Sequence, residues 1–97
     1  MPDPRDVSVH NLLEKIVFAL VDHPNDVTID AIWMEEGAVF RIRTLDAGDL
    51  GKIIGKQGRT IKSIRVLLAG FAVTIRRRFM LAIEEPPDSR RESRPPT

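Results

Sequence analysis

The sequence contains no cysteine and no long hydrophobic run. Without cysteine, disulfide bridges and thiolate metal sites are excluded, and the composition fits a reducing compartment. A helix that spans a bilayer needs about 20 consecutive apolar residues, and no stretch of this chain approaches that length. The first residues, Met1-Pro2-Asp3-Pro4-Arg5-Asp6, lack the basic start of a signal peptide. The sequence therefore predicts a soluble, cytoplasmic protein without a membrane partner.

Acidic residues are missing from one long stretch of the chain. Residues 50–83 contain eight lysines and arginines and no aspartate or glutamate. Residues 1–49 have the opposite balance, with four basic against ten acidic residues. A basic half without acids indicates a surface that binds a polyanion. The alternative is a basic helix face that is simply solvated, and charge alone does not decide between the two.

The length of 97 residues suggests a single domain. We predict a short leader over residues 1–6, one domain over residues 7–85 and a tail over residues 86–97. The tail is rich in arginine and has no apolar residue apart from its prolines, so it is predicted to be disordered. One small domain leaves room for one modest core.

A helix is predicted at the start of the domain. Asp6 or Ser8 is suited to cap its first turn. Pro24 disfavours helical geometry at His23, so the helix should end near Asp22. Its apolar residues have the spacing of one helix face, and we expect this face to pack in the core. They are Val9, Leu12, Leu13, Ile16, Val17 and Leu20.

Two strands and a hairpin are predicted next. Residues 27–34 and 38–45 are rich in β-branched and aromatic side chains, and the acidic turn between them contains a glycine. The second strand alternates between an apolar face, Phe40 and Ile42, and a cationic face, Arg41 and Arg43. The two strands should therefore pair antiparallel.

A pair of helices and a last strand complete the domain. A short helix capped by Asp46 precedes a longer one that starts near Arg59, whose end the sequence leaves open. Alternating apolar residues in 79–83 predict the last strand. The fold class is therefore α+β in the order α-β-β-α-α-β, with three helices on one face of a three-stranded mixed sheet. A helical crossover makes the last two strands parallel if they are neighbours.

The residues that carry a testable chemistry lie between the two helices. Gly55-Lys56-Gln57-Gly58, here called the glycine loop, has glycines that permit a sharp turn and close backbone approach. The helix that follows presents unpaired N–H groups and a partial positive charge at its start, which suits a phosphate. We predict contacts with single-stranded RNA from the loop, its flanks and one strand: Ile54, Gly55, Lys56, Gln57, Gly58, Arg59, Thr60, Ile61, Lys62, Arg41 and Arg43.

The flanking residues have separate expected roles. Lys56, Arg59 and Lys62 should surround the phosphates. Ile54 and Ile61 are candidates for the apolar floor of a groove that holds bases, and the alternative for both is plain core packing. Arg41 or Arg43 is predicted to line the opposite wall.

This segment resembles a known family. It reads Ile53-Ile54-Gly55-Lys56-Gln57-Gly58-Arg59-Thr60-Ile61-Lys62. This pattern, apolar-Ile-Gly-x-x-Gly-x-x-Ile-basic, is similar to the signature of the KH domain. The element order resembles the prokaryotic type II arrangement, and residues 7–85 resemble the small bacterial KhpA family. The resemblance implies broad RNA binding, a homodimer, a heteromer with a KhpB-like protein, and a role as post-transcriptional regulator or RNA chaperone in cell elongation, division, cell shape and cell wall organisation.

Other functional classes are less well supported. A P-loop needs four residues between its glycines and a Ser or Thr after its lysine, whereas Gly51 and Gly55 have three between them and Gln57 follows Lys56. His10 and His23 lie at opposite ends of one helix and cannot share a site there. We therefore expect no enzyme activity, no metal and no cofactor. The remaining alternative is a dimerising adaptor module, with Trp33 as a candidate interface residue.

Overall fold

The computed structural model describes residues 1–86, so the predicted tail, apart from Pro86, lies outside the described residues. The order α-β-β-α-α-β is confirmed. Its elements are α1 (Pro4–Leu20), β1 (Val27–Met34), β2 (Gly37–Thr44), α2 (Ala47–Ile54), α3 (Arg59–Ile75) and β3 (Arg78–Glu84). Short 3₁₀ turns, Pro24–Asp26 and Lys56–Gly58, precede β1 and α3.

The first helix begins earlier than its apolar residues predict. Its N-cap is Asp3, whose carboxylate accepts the Arg5 backbone N–H at 2.8 Å, so the expected caps Asp6 and Ser8 are wrong. Pro4 suits the first helical position because its φ is already helical and it has no N–H that needs a partner. Residues 4–6 of the predicted leader therefore belong to α1.

Asp6 has a structural role instead. It is buried, and its carboxylate accepts two hydrogen bonds from Arg77, from Nη2 at 2.7 Å and from Nε at 2.9 Å. These bonds raise the pKa of the Arg77 guanidinium. The pair joins the first turn of α1 to the segment between α3 and β3, so Arg77 belongs to the fold and not to a phosphate-binding surface.

The sheet has the order β1-β2-β3, with β1 and β2 antiparallel and β2 and β3 parallel, as predicted for a mixed sheet. The hairpin turn is shorter than expected, because Gly37 is the first residue of β2. A Cβ at Gly37 would lie 1.7 Å from the Arg78 carbonyl oxygen. Glycine is therefore required here because β3 starts against this residue.

One face of the sheet carries the core. Phe40 and Ile42 on β2 are fully buried and pack with Leu13 and Val17 of α1 and Ile53 of α2. All three helices contribute buried apolar residues to this layer, and α3 ends at Ile75, where Arg76 adopts a left-handed conformation. None of the helices in residues 1–86 has the length and apolar character needed to cross a bilayer.

Candidate nucleic-acid interface

The glycine loop connects α2 to α3 through three residues with positive φ, of which Gln57 and Gly58 are left-handed and Gly55 has a ψ of 168°. The φ angles are 78° at Gly55, 57° at Gln57 and 74° at Gly58. The Gly58 N–H donates to the Gly55 carbonyl at 3.0 Å, which closes the turn. Glycine adopts positive φ without steric cost, whereas Gln57 does so at a cost of about 1–2 kcal/mol. The turn is therefore held by its surroundings and presents its backbone outward.

The two glycines are required for different reasons. A Cβ at Gly55 would lie 2.2 Å from Thr60 Oγ1 and 2.9 Å from the Thr60 nitrogen, so α3 starts in contact with this residue. A Cβ at Gly58 would meet nothing closer than Lys62 Cε at 4.0 Å. Gly55 thus allows the helices to approach, and Gly58 supplies only the left-handed conformation and an open approach to α3.

The start of α3 is the least capped helix start in the described chain. Asp3 caps α1 and Asp46, as predicted, caps α2, whereas Gly58 has no side chain to cap α3 and no acidic residue lies in its first turn. The first N–H groups of a helix point along its axis and favour an anion. The Arg59 N–H already donates to the Lys56 carbonyl, so a phosphate from solution would bind the N–H groups that follow it.

Three cations surround this helix start. Lys56, Arg59 and Lys62 are exposed and have no acidic partner among residues 1–86. The Arg59 Nη2 donates to Gln57 Oε1 at 3.1 Å, which places the guanidinium beside the turn. Unpaired cations are available to a phosphodiester without first breaking an ion pair.

Lys52, one turn earlier, is not available in the same way. Its ammonium forms an ion pair with Asp22, and this hydrogen bond raises the pKa of Lys52. Asp22 belongs to the segment that leads from α1 to β1. The number of unpaired cations in residues 50–83 is therefore smaller than their composition suggests, because acidic residues from the first half of the chain form ion pairs with some of them.

A buried carboxylate anchors α2 behind the glycine loop. Asp49 accepts the backbone N–H groups of Asp22 and His23 at 3.1 and 3.0 Å, and His23 Nδ1 lies 3.0 Å from the same carboxylate. Burial alone would raise the pKa of Asp49, but these hydrogen bonds outweigh it and the pKa is lowered. The same contact raises the pKa of His23. Asp49 therefore ties α2 to the α1–β1 segment.

The two isoleucines beside the loop are not equivalent. Ile61 is 5% exposed and belongs to the core, which is the alternative the sequence left open for it. Ile54 is half-buried at the edge of the same core, and Thr60 fills the space beneath Gly55. Of the predicted groove residues, only Ile54 offers apolar surface next to the loop.

The two predicted arginines of β2 do not reach the loop. They alternate with Phe40 and Ile42, which face the helices, so Arg41 and Arg43 point from the opposite face of the sheet. There both form ion pairs with Asp30, at 3.3 and 3.0 Å. The expected opposite wall is therefore not made by these residues, because the glycine loop lies in the helical layer.

The structure brings a different arginine to the neighbourhood. Arg65 extends from α3 to β3, where its Nη2 lies 3.3 Å from the Leu81 carbonyl. A surface depression of about 250 Å³ lies beside it, with Leu68 and Phe79 in its lining. The spacing of Arg65 three residues after Lys62 was a signal for the same helix face, but its partner on β3 depends on tertiary packing.

The histidines lie apart, as expected. His10 Nε2 is 2.7 Å from the Ile29 carbonyl, and its ring contacts Trp33 and Phe40 with centroid distances of 5.8 Å. His23 lies with Asp46 and Asp49, and one ligand atom from each falls within 4.8 Å of the others. Helix capping by Asp46 and the anchoring role of Asp49 account for both carboxylates.

Comparison with known proteins agrees with this geometry. The family described as KhpA/KhpB, KH domain, matches residues 10–83. RNA-binding protein KhpA of Halalkalibacterium halodurans is 41% identical over 73 residues, which cover 74% of this chain and 93% of that protein. RNA-binding protein KhpA of Chlamydia muridarum is 45% identical over 60 residues, covering 62% and 76%.

Among solved structures, a variant of Aquifex aeolicus Era bound to GDP·AlF4− matches with a TM-score of 0.58 at 16% identity. The match covers 94% of this chain and 35% of that chain, and at this identity it supports the fold alone. The family match covers most of the described domain, including the glycine loop, α2, α3 and all three strands. The chain therefore belongs to the KhpA/KhpB KH-domain family.

Proposed function

We propose that this protein binds single-stranded RNA with broad specificity, with the phosphodiester backbone held on the glycine loop. The observation that carries the proposal is the uncapped start of α3 beside Lys56, Arg59 and Lys62, none of which has an acidic partner among residues 1–86. Bases are splayed toward Ile54 and the depression beside Arg65, where apolar surface is available. The relatives named RNA-binding protein KhpA support the same assignment.

The salt dependence of affinity tests whether phosphates dominate binding. If Lys56, Arg59 and Lys62 each neutralise one phosphate, log K should fall against log salt with a slope of about −2, since single strands contribute about 0.7 per contact. Affinity for an oligoribonucleotide of mixed sequence is then expected to fall roughly 15-fold between 50 and 200 mM salt. Fluorescence anisotropy measures this directly. A flat response would contradict a phosphate-centred site.

The proposal includes a homodimer formed through α3, and a dimerising adaptor is the alternative function. Val66 and Val73 are 70% and 81% exposed on this helix, and a Cβ at Gly70 would meet nothing within 4 Å. The cations of α3 lie in its first half, as Arg59, Lys62 and Arg65. Antiparallel packing of two copies around Gly70 would bury both valines, which supplies the apolar contact that a dimer needs.

Sedimentation of an α3 variant tests this dimer. Val66→Asp with Val73→Asp is expected to give a monomer, because carboxylates would be buried without partners. The control variant, Leu45→Asp with Met80→Asp, removes side chains that are 74% and 67% exposed outside α3 and should sediment as the unchanged protein. Equal sedimentation of both variants and the parent would contradict the α3 dimer. RNA binding that survives the α3 change would show that the loop does not need a second copy.

We further propose a heteromer with a KhpB-like protein and a role as post-transcriptional regulator or RNA chaperone in cell elongation and division. Membership of the KhpA/KhpB family supports this assignment. Deleting the gene and measuring cell length tests the cellular role. Unchanged length and shape would remove it, while RNA binding in solution would be unaffected by that result.

A further inference from the structure

One hydrogen bond shows which backbone groups of β1 bond to β2 and which face the open edge of the sheet. The Leu45 N–H donates to the Asp26 carbonyl at 3.1 Å, so these two residues form a hydrogen-bonded pair next to the ladder. Because bonded and non-bonded pairs alternate in an antiparallel ladder, every second residue of β1 bonds to β2. The residues that direct their N–H and C=O groups to the open edge are Val27, Ile29, Ala31 and Trp33.

Part of this edge is already occupied. The Ile29 carbonyl lies 2.7 Å from His10 Nε2 of α1, which covers that end of the strand. Nearer the hairpin, the backbone groups of Ala31 and Trp33 have no hydrogen-bond partner in the described part of the chain. The opposite edge of the sheet is also partly covered, because Arg65 reaches the Leu81 carbonyl of β3. Ala31 and Trp33 therefore form an open stretch of sheet edge.

At its hairpin end, β1 has few of the features that normally protect an edge strand. Its register with β2 is unbroken over all eight pairs, and the strand contains no proline, lysine or arginine. Edge strands are usually protected by such residues or by bulges, because an open edge pairs with another chain. The exposed fractions of Ile32, Trp33 and Met34 are 55%, 39% and 48%. This end of β1 is both open and apolar.

The surroundings of the edge determine which partner it suits. On the outer face of the sheet, Ile32 aligns with Val39 and Met80 to form an apolar row. Carboxylates lie near this end of β1 on both sides of the sheet: Asp30 on its outer face, Glu35 and Glu36 in the turn, and Glu14 of α1, beside His10, on the helical side. Arg41 and Arg43 pair with Asp30, and Arg78 lies across the sheet at the start of β3. At the β1 edge itself, four carboxylates against two arginines leave a net acidic rim. A second copy of the chain carries the same acidic rim and would be repelled.

We propose that the edge of β1 at Ala31 and Trp33 binds an extended segment of a partner protein, rich in alternating apolar and basic residues, as a fourth strand. The backbone of the partner segment forms hydrogen bonds with the outward N–H and C=O groups of Ala31 and Trp33. An apolar side chain of the segment extends the row that starts at Ile32, and basic side chains lie beside the acidic rim. This surface is separate from the glycine loop, so the proposal does not depend on RNA binding.

A peptide titration of the full chain, followed by ¹⁵N–¹H NMR, tests the proposal. The probe is a capped peptide of alternating lysine and valine, matched to the 8 residues of β1, and the control replaces each lysine with glutamate. The basic peptide is expected to shift the Ala31 and Trp33 amide signals and slow their hydrogen exchange by at least about tenfold. The Ile32 amide already bonds to β2 and should show no new protection. Absence of these shifts, or equal binding of the acidic peptide, would overturn the proposal.

Two variants separate edge pairing from a general loss of structure. Ala31→Pro removes an outward N–H and leaves the hydrogen bonds between β1 and β2 in place, since proline is tolerated on the open side of an edge strand. Ile32→Lys keeps every backbone group and removes apolar surface from the row. Both are expected to weaken binding of the basic peptide at least about tenfold, with RNA binding unchanged. If the Ile32→Lys variant bound the basic peptide as tightly as the parent protein, the proposed partner would be rejected. It would also be rejected if the parent protein were a dimer that Ala31→Pro dissociates, because a second copy would then occupy the edge.

Discussion

Replacing Lys56 and Gln57 together by aspartate is expected to weaken binding of single-stranded RNA by roughly 100-fold or more. The change removes one cation from the glycine loop and adds two carboxylates where a phosphate would approach the start of α3. Juxtaposed like charges at an interface cost several kcal/mol, and the helix N–H groups would be offered to the new carboxylates instead. Gel shift or anisotropy with an oligoribonucleotide measures the loss.

The fold should survive this double change. Both side chains are exposed, and neither contributes to the core. Position 57 has a φ of 57°, and aspartate is among the residues that adopt this left-handed conformation most readily. Circular dichroism and the thermal midpoint should therefore match those of the parent protein within a few degrees.

A matched control separates local charge from net charge. Lys15→Asp with Asn25→Asp makes the same change in net charge at exposed residues outside α2, the glycine loop and α3. This control is expected to retain RNA affinity within roughly threefold at moderate salt, because screening limits charge effects to about 10 Å. If the control lost as much affinity as the loop variant, binding would depend on overall charge. If the loop variant bound RNA as the parent does, the proposed site would be wrong.

The second large effect is expected from alanine at Gly55, which should destabilise the fold by about 3 kcal/mol or more. The new Cβ would lie 2.9 Å from the Thr60 nitrogen and 2.2 Å from its Oγ1, so α3 would have to move away from α2. The positive φ of 78° adds a steric cost of its own. Denaturant unfolding measures the loss, and weaker RNA binding should accompany it even in the folded fraction.

Alanine at Gly58 is the matched comparison. Its φ of 74° is close to that of Gly55, but its ψ is 14° where that of Gly55 is 168°, and the space around its Cβ is open. Only the cost of the left-handed conformation remains, about 1–2 kcal/mol. Equal destabilisation by the two substitutions would show that the contact between Gly55 and Thr60 has no energetic consequence. Thr60→Ala in the Gly55→Ala background should restore part of the stability, because it removes Oγ1.

Much of the fold was predictable because its signals are local. The alternation of Phe40 and Ile42 with Arg41 and Arg43 separated the two faces of β2, and the turn with two glutamates marked the hairpin. The cap at Asp46 was correct because its neighbours in sequence are also its hydrogen-bond partners. The start of α1 lies outside the apolar stripe, because its signal is the polar pair Asp3-Pro4.

The sequence predicted most of the residues of the candidate site, but it predicted less well which of them lie together and what they contact. The glycine loop and its three free cations follow one another in sequence, and the structure keeps them together. Arg41 and Arg43 were assigned to it because they are basic, yet their nearest charges come from Asp30 on the neighbouring strand. The contact of Arg65 with the Leu81 carbonyl is not predictable from a local pattern, because the two residues are 16 positions apart.

By itself the sequence determined the order of helices and strands, the buried face of β2 and the glycines that permit positive φ in the loop. It determined most of the buried face of α1, although Leu12, expected in the core, is exposed. Those properties depend on periodicity and on backbone sterics between residues that are close in the chain. Only the tertiary structure decided which cations remain free and which edge of the sheet stays open. Lys52 is neutralised by Asp22, Arg77 by Asp6, and the Ile29 carbonyl is covered by His10, each through contacts between distant segments. Ion pairs, and the covering of a sheet edge by another element, depend on distances between residues that are far apart in sequence. A local sequence pattern does not predict such distances.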